Sequence, residues 1–452
     1  MASPRLPVFD RRRGGVLLPL SALEAALGRG GRAFVDWLVQ AQFSVWQILP
    51  VGPVGTDGSP YWVRSDSAGN PAFLDPTELP DPRAPLPADF LAATSSWLHD
   101  YALFEALSAA QHGKPFWQWP APLRERDTQA LEQAQRQLAG EVERIEREQY
   151  AFYLQWNRLR DYAHQHGVRL FGDLPFYVGP SSAETWAHRS LFRLAPDGEP
   201  AVVGGVPPDY FSEFGQLWGN PVYDWQALQR SDFAWWLARM RQQLARLDLL
   251  RIDHFRALAA HWAVPAGAAD ARGGEWLQTP GEELLKRMAG EFGELPLVAE
   301  DLGVITADVL ALKHAFALPG MRVVQFAFDG DMTNVHLPHL HERECVVYTG
   351  THDNDTTLGW YQSLDAATRE RCDFYLRVTP GGMPEQLIRA ALGSVGLLAV
   401  IPAQDLLGLG SAARMNTPGT SRGNWSWRLP AGALSADLAR RCAHFNAAFG
   451  RA

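Results

Sequence analysis

The sequence predicts a (β/α)₈ TIM barrel carrying two long insertions. Three observations lead there. Eight short apolar runs, each closed by polar or turn residues, are spread along the 452 residues. Helical patterns separate most of them, which marks a parallel sheet, and eight such strands close a barrel. Acidic residues stand at, or just after, the C-terminal ends of five runs: Asp173, Asp253, Glu300, Asp353 and Asp405. That end of a barrel is the face that carries its chemistry.

Taken in order, the runs cover residues 15–18, 43–49, 168–173, 249–253, 297–300, 321–326, 345–349 and 397–401. Helices are expected near 33–42, then over 233–247, 282–292, 306–315, 366–377 and 384–392. Two connections exceed plain βα loops. The first, about 51–167, opens on a stretch rich in Gly and Pro. It then holds a helical region near 88–108 and a long charged helix near 126–166, read as a solvated surface helix. The second, about 174–232, ends in the aromatic stretch 205–225, read as a lid; the alternative is a loop ordered by its own aromatics. The chain ends soon after the eighth run, so a single barrel over 1–452 with no C-terminal β-sandwich is expected.

Composition narrows the function. Hydrophobic residues make up 46% and charged residues 20%, which is globular. A net charge of −9 gives no electrostatic case for nucleic acid. Three cysteines, Cys345, Cys372 and Cys442, are widely spaced and form no metal motif or disulfide framework, which fits a cytoplasmic protein. The first 15 residues carry charges with no following apolar run or cleavage signal, so no signal peptide is expected, and no apolar run approaches membrane-spanning length. The 17 Trp and 22 Phe suit flat sugar faces, although most belong to an aromatic core.

The stretch 248–256 organises the chemistry. On a strand, Arg251 and Asp253 share one face, with Leu250 and Ile252 on the other. Two buried ions on one face must satisfy each other. A structural salt bridge is one reading. The favoured one is an Asp nucleophile whose pKa the arginine lowers, because His254 and Arg256 follow where the strand ends. Two further groups join it: Glu300 with Asp301, and Thr351-His352-Asp353-Asn354-Asp355. Two carboxyls flanking one bond meet the needs of glycoside cleavage, and a third can grip sugar hydroxyls and transition-state charge.

With these residues in place, the sequence resembles the 4-α-glucanotransferases (amylomaltases or disproportionating enzymes) of the α-amylase clan. The likeness runs through 46–53, 59–61, 69–71, 172–173, 206–225, 250–255, 299–303, 325–328, 348–360 and 415–427. It implies transfer of α-1,4-glucan segments between maltooligosaccharides by a retaining route, with Asp253 as nucleophile, Glu300 as acid/base and Asp353 stabilising the transition state. Arg251, His254 and His352 would contact the first carboxylate or the cleavage-site sugar. Tyr61, Asp209, Tyr210, Trp218 and Asn416 match stretches that line the glucan groove. The family needs no metal and no organic cofactor. A hydrolase of the same clan would share the carboxylates, and a non-catalytic glucan-binding barrel would usually have lost one. The chain departs from the family pattern at Phe214, which usually is Thr, at 18–23, and in a shortened span over 77–93.

Overall fold

In the computed structural model, which describes residues 8–452 except 56, 209–212 and 421, eight parallel strands form the barrel. They are Arg13–Leu17, Val45–Gln47, Arg169–Leu174, Leu249–Ile252, Leu297–Ala299, Gly320–Val323, Cys345–Tyr348 and Leu398–Pro402. Each strand except the fifth pairs in parallel with its successor, and the first pairs with the eighth. The join between the fifth and sixth differs. There the main chain supplies one bond, from the Ala299 amide to the Pro319 carbonyl at 2.8 Å. A side chain does the rest. Asp301 accepts from the Met321 amide at 2.6 Å and from Lys313 Nζ at 2.6 Å, with Arg322 at 3.3 Å. A side chain at Gly320 would collide with the Asp301 carboxylate.

The period of two sorts the residues as expected. Leu249, Val298, Met321, Val346 and Val400 form the cluster that fills the barrel. Leu250, Ile252, Leu297, Val347 and Ile401 pack in the outer cluster that also holds the helices. Arg251 therefore points into the barrel mouth with Leu249 below it. The expected helices appear as Ala234–Arg246, Gly281–Phe292, Ala307–Ala315, Ala366–Leu376 and Glu385–Gly393. The sixth run stops short, because 324–326 turn into a 3-10 helix beyond Val323.

The first insertion differs from its sequence reading. The charged helix is two, Thr128–Gln137 and Ala139–Gln165, and the second is not simply solvated. Phe152, Trp156 and Leu159 are buried along one stripe. Gln149 gives and takes bonds with the backbone of Gly69, and Gln155 does the same with Asp75. Two glutamines thus satisfy four buried backbone groups of the segment following Tyr61. Part of the aromatic stretch 205–225 is built into a sheet. Its strand Gln216–Pro221 pairs with Val202–Val206 in a four-stranded antiparallel sheet completed by Ala260–Pro265 and Glu275–Gln278. Among the described residues, no helix is long and apolar enough to cross a membrane.

Candidate functional site

Strand ends place the candidate residues. Asp253 follows the fourth strand, Glu300 the fifth, and His352 and Asp353 the turn after the seventh. Asp173 lies within the third strand, and Asn416 in the segment after the eighth. Tyr61 comes from the first insertion, and Trp218 from the antiparallel sheet. Asp209 and Tyr210 lie outside the described residues.

Arg251 is the hub. Its Nη1 donates to both oxygens of Asp173 at 2.8 Å, and its Nη2 pairs with Asp253 at 2.8 Å. Two carboxylates outweigh the burial that would otherwise weaken the guanidinium, so its charge is held. One expectation fails here. Burial pushes the Asp253 carboxyl above its ordinary range, and Arg251 only opposes the rise. The reason is that burial outweighs the attraction of Arg251, and the negative charge of Asp173 adds to the rise. Still, 31% of the Asp253 side chain is exposed and open to a reactant.

Glu300 faces a different field. Burial pushes its carboxyl up to about 7; Arg251 opposes the shift and the negative charge of Asp253 adds to it. Its two oxygens are fixed by the amides of His254 and Leu302, each at 2.9 Å. The first of these depends on backbone shape. His254 adopts φ 52° and ψ 48°, a left-handed conformation uncommon outside glycine. That turn brings the amide next to Asp253 onto the Glu300 carboxylate, so the two acids share one backbone junction. The His254 imidazole is pushed down to about 3 by burial, aided by the positive charges of Arg256 and His261, and stays neutral. Trp218 sits edge-on against it, ring centroids 4.7 Å apart.

Asp353 is more open than Asp253, with 44% of its side chain exposed. Burial would raise its pKa, but His352 at 3.3 Å and Asn416 Nδ2 at 2.6 Å outweigh that and hold it well below the ordinary carboxylate range. His352 responds in kind. Burial lowers its affinity for a proton, and Asp353 more than restores it. Tyr61 closes the ring: its hydroxyl donates to Asp173 at 2.7 Å and lies 3.4 Å from His352 Nδ1, and its ring stacks on His352 at 5.1 Å. Burial, then Asp173, push the phenol well above its usual value, so it remains a donor.

Sequence reasoning missed two members and over-read a third. Arg414 donates to the backbone carbonyls of Asp353 at 2.7 Å and Asn416 at 2.6 Å, so it sets both. Trp425 lies 5.9 Å from Tyr61 and from His352. Both fall in or beside the matching stretch 415–427, the one signal that could have found them. Asp405, a strand-end acid by sequence, is a structural fastener. It is 1% exposed and accepts from Thr349 and from Thr357, whose amide and hydroxyl both donate to it.

Comparison with known proteins decides the family. A family model described as 4-alpha-glucanotransferase matches residues 18–87 and 81–435. The chain belongs to the 4-alpha-glucanotransferase family. It is 43% identical to the 4-alpha-glucanotransferase of Thermus thermophilus, covering 92% of this chain and 93% of that protein. It is 42% identical to the Synechocystis enzyme of the same name, covering 93% and 94%. The amylomaltase of Streptococcus agalactiae, solved with acarbose, superposes with a TM-score of 0.91 at 31% identity, over 98% of this chain and all of that one. This glucanotransferase is thus an amylomaltase-type enzyme on a TIM barrel.

Proposed function

We propose that this glucanotransferase moves α-1,4-glucan segments between maltooligosaccharides through a covalent glycosyl–Asp253 intermediate. One observation carries the proposal. Three carboxyls at three strand ends stand in three different electrostatic settings: Asp253 paired with Arg251 but pushed up by burial, Glu300 pushed up to about 7, and Asp353 held well below the ordinary carboxylate range. Neighbouring acids whose environments separate their proton affinities are what divides acid, base and nucleophile duties.

In the first step an Asp253 oxygen attacks the anomeric carbon. The glycosidic C–O bond breaks, and the departing 4-oxygen takes the Glu300 proton. Asp353, anchored by Asn416 and His352, faces the positive charge that develops on the sugar. The ester that forms carries no charge on Asp253. That removes one of the influences raising the Glu300 pKa, so Glu300, having given up its proton, stays ionised and free to accept one in the next step. An acceptor 4-hydroxyl then gives its proton to Glu300 and displaces Asp253. Arg251, His254, His352, Tyr61 and Trp218 shape the cleavage site, with Asp209 and Tyr210 as further sugar contacts.

A bound glucan outcompetes water because it arrives oriented. The antiparallel sheet that carries Trp218 supports this reading as a wall of the acceptor side. Phe214 pins that wall: its carbonyl accepts from the Ala271 amide at 3.0 Å, and Arg272 lies over its ring at 4.9 Å. Substrates would be linear maltodextrins and outer glycogen chains, and three free, buried cysteines fit a cytoplasmic setting. Chromatography of products from maltotriose alone tests the activity. A ladder of longer oligomers with glucose is expected, and glucose and maltose without longer products would sink transfer. Mass spectrometry of Glu300→Gln with a glucosyl fluoride donor should show the ester on Asp253.

A further inference from the structure

Lys313 is a buried charge that the transfer mechanism above leaves unused. It is 2% exposed and stands in the last turn of helix Ala307–Ala315. A buried ammonium is costly unless a carboxylate meets it. Its Nζ meets Asp301 at 2.6 Å, and Asp301 directly follows Glu300.

The Asp301 carboxylate is held from three sides. One oxygen accepts from the Met321 amide at 2.6 Å; the other accepts from Lys313 and, at 3.3 Å, from Arg322 Nη1. The backbone on either side of Asp301 serves the acid. The Glu300 amide donates to the Ile252 carbonyl at 3.2 Å, and the Leu302 amide donates to Glu300 Oε1 at 2.9 Å. Asp301 is thus the middle residue of the turn that closes onto the Glu300 carboxylate. Its side chain ties that turn to the sixth strand and, through Lys313, to the helix that follows.

Charge follows the same path. Glu300 feels Arg251 and Asp253 from the fourth strand end, and the negative charge of Asp301 adds to the rise in its pKa. Lys313 and Arg322 offset that charge. Arg322 also lies 3.8 Å from Glu342. Two further titratable neighbours of Asp301 stay neutral at pH 7. Burial pushes the His336 imidazole down to about 4 and the Cys345 thiol up to about 12.

We propose that Lys313 is a positioning residue for the transfer reaction: acting through Asp301, it holds the Glu300 carboxyl in place against the glycosidic oxygen. This rests on Glu300 being the acid, as read above.

Three substitutions in the full chain test it, each assayed where circular dichroism shows the native fold. Lys313→Met removes the charge and Lys313→Arg keeps it. Asp301→Asn removes the opposite charge and keeps an acceptor for the Met321 amide. Two donors are compared: maltotriose, and 4-nitrophenyl α-maltoside, whose leaving group needs little protonation. Lys313→Met should lower kcat/KM on maltotriose about 10–100-fold and spare most of the nitrophenol release. Lys313→Arg should recover the maltotriose activity. The alkaline limb of kcat/KM should move up in pH in Lys313→Met, where Asp301 loses a counter-charge, and down in Asp301→Asn. Where Lys313→Met fails to fold, the donor comparison and the limb of Asp301→Asn decide. Equal losses on both donors, or an unmoved limb, overturn the positioning role and leave Lys313 a structural tie. Glu300→Gln, run alongside, separates the two readings. A limb that survives in it overturns the acid assignment itself; a limb abolished there yet unmoved in the other variants overturns the role of Lys313 alone.

Discussion

Replacing Glu300 by Gln removes the transferable proton at the smallest cost in shape. Gln keeps the length and one acceptor oxygen, so it can accept from the amide of His254 or of Leu302 but not from both. The magnitude follows from the site. A carboxyl at its ordinary 4.5 is protonated about once in 300 at pH 7, and one at about 7 about half the time. Burial therefore multiplies the supply of acid roughly 150-fold at neutral pH. Removing the acid altogether should lower kcat/KM on maltotriose by about 10²–10⁴. In the native enzyme kcat/KM should fall as pH rises through about 7, and Gln should abolish that limb. A donor with an aryl leaving group, which needs little protonation, should form its glycosyl–enzyme much less impaired. Stability adds a check. The folded state holds this proton more tightly than the unfolded chain, so its contribution is complete below about pH 4.5 and lost as pH rises through about 7. Gln removes that slope in denaturant titrations. An alkaline limb that survives in Glu300→Gln, or turnover within tenfold of native, would refute the assignment.

Three further outcomes are expected. Asp253→Asn should lower the Glu300 pKa, read by carbon NMR of the labelled carboxyl, because a negative neighbour is gone; an unchanged titration would mean that the two acids do not sense each other. Asn416→Ala removes a 2.6 Å bond to a charged oxygen, which at ~1.5–3 kcal/mol predicts a loss of about 10–100-fold in kcat/KM with the fold intact. Trp218→Ala opens the wall beside His254 and should raise the ratio of hydrolysis to transfer on maltotriose. An unchanged ratio would assign water exclusion elsewhere.

The barrel was readable because its strands are short apolar runs with a period of two, and the periodicity alone separates Leu249 and Arg251 from Leu250 and Ile252. The three carboxylates were readable because barrel chemistry gathers at strand ends. The same rule over-read Asp405, since nothing in a lone Asp tells a threonine-bound fastener from a reactant. Arg414 escaped notice because it acts on backbone carbonyls, which leave no trace in sequence spacing. The direction of the Asp253 shift was misjudged because it depends on how deeply the carboxyl is buried and on the nearness of Asp173, both matters of three dimensions. The long helix looked merely solvated because glutamine is polar in composition, whereas Gln149 and Gln155 are buried in place.

The join between the fifth and sixth strands has a consequence for how this enzyme wears out. A ring completed by one main-chain bond and the Asp301 carboxylate has a seam, and the seam runs beside Glu300. Warming should part it there before the laddered strands elsewhere, since local opening starts where backbone pairing is thinnest. Catalysis would then be lost while most of the sheet still stands. For an engineer, the same seam marks where reinforcement lengthens working life without touching the sugar groove.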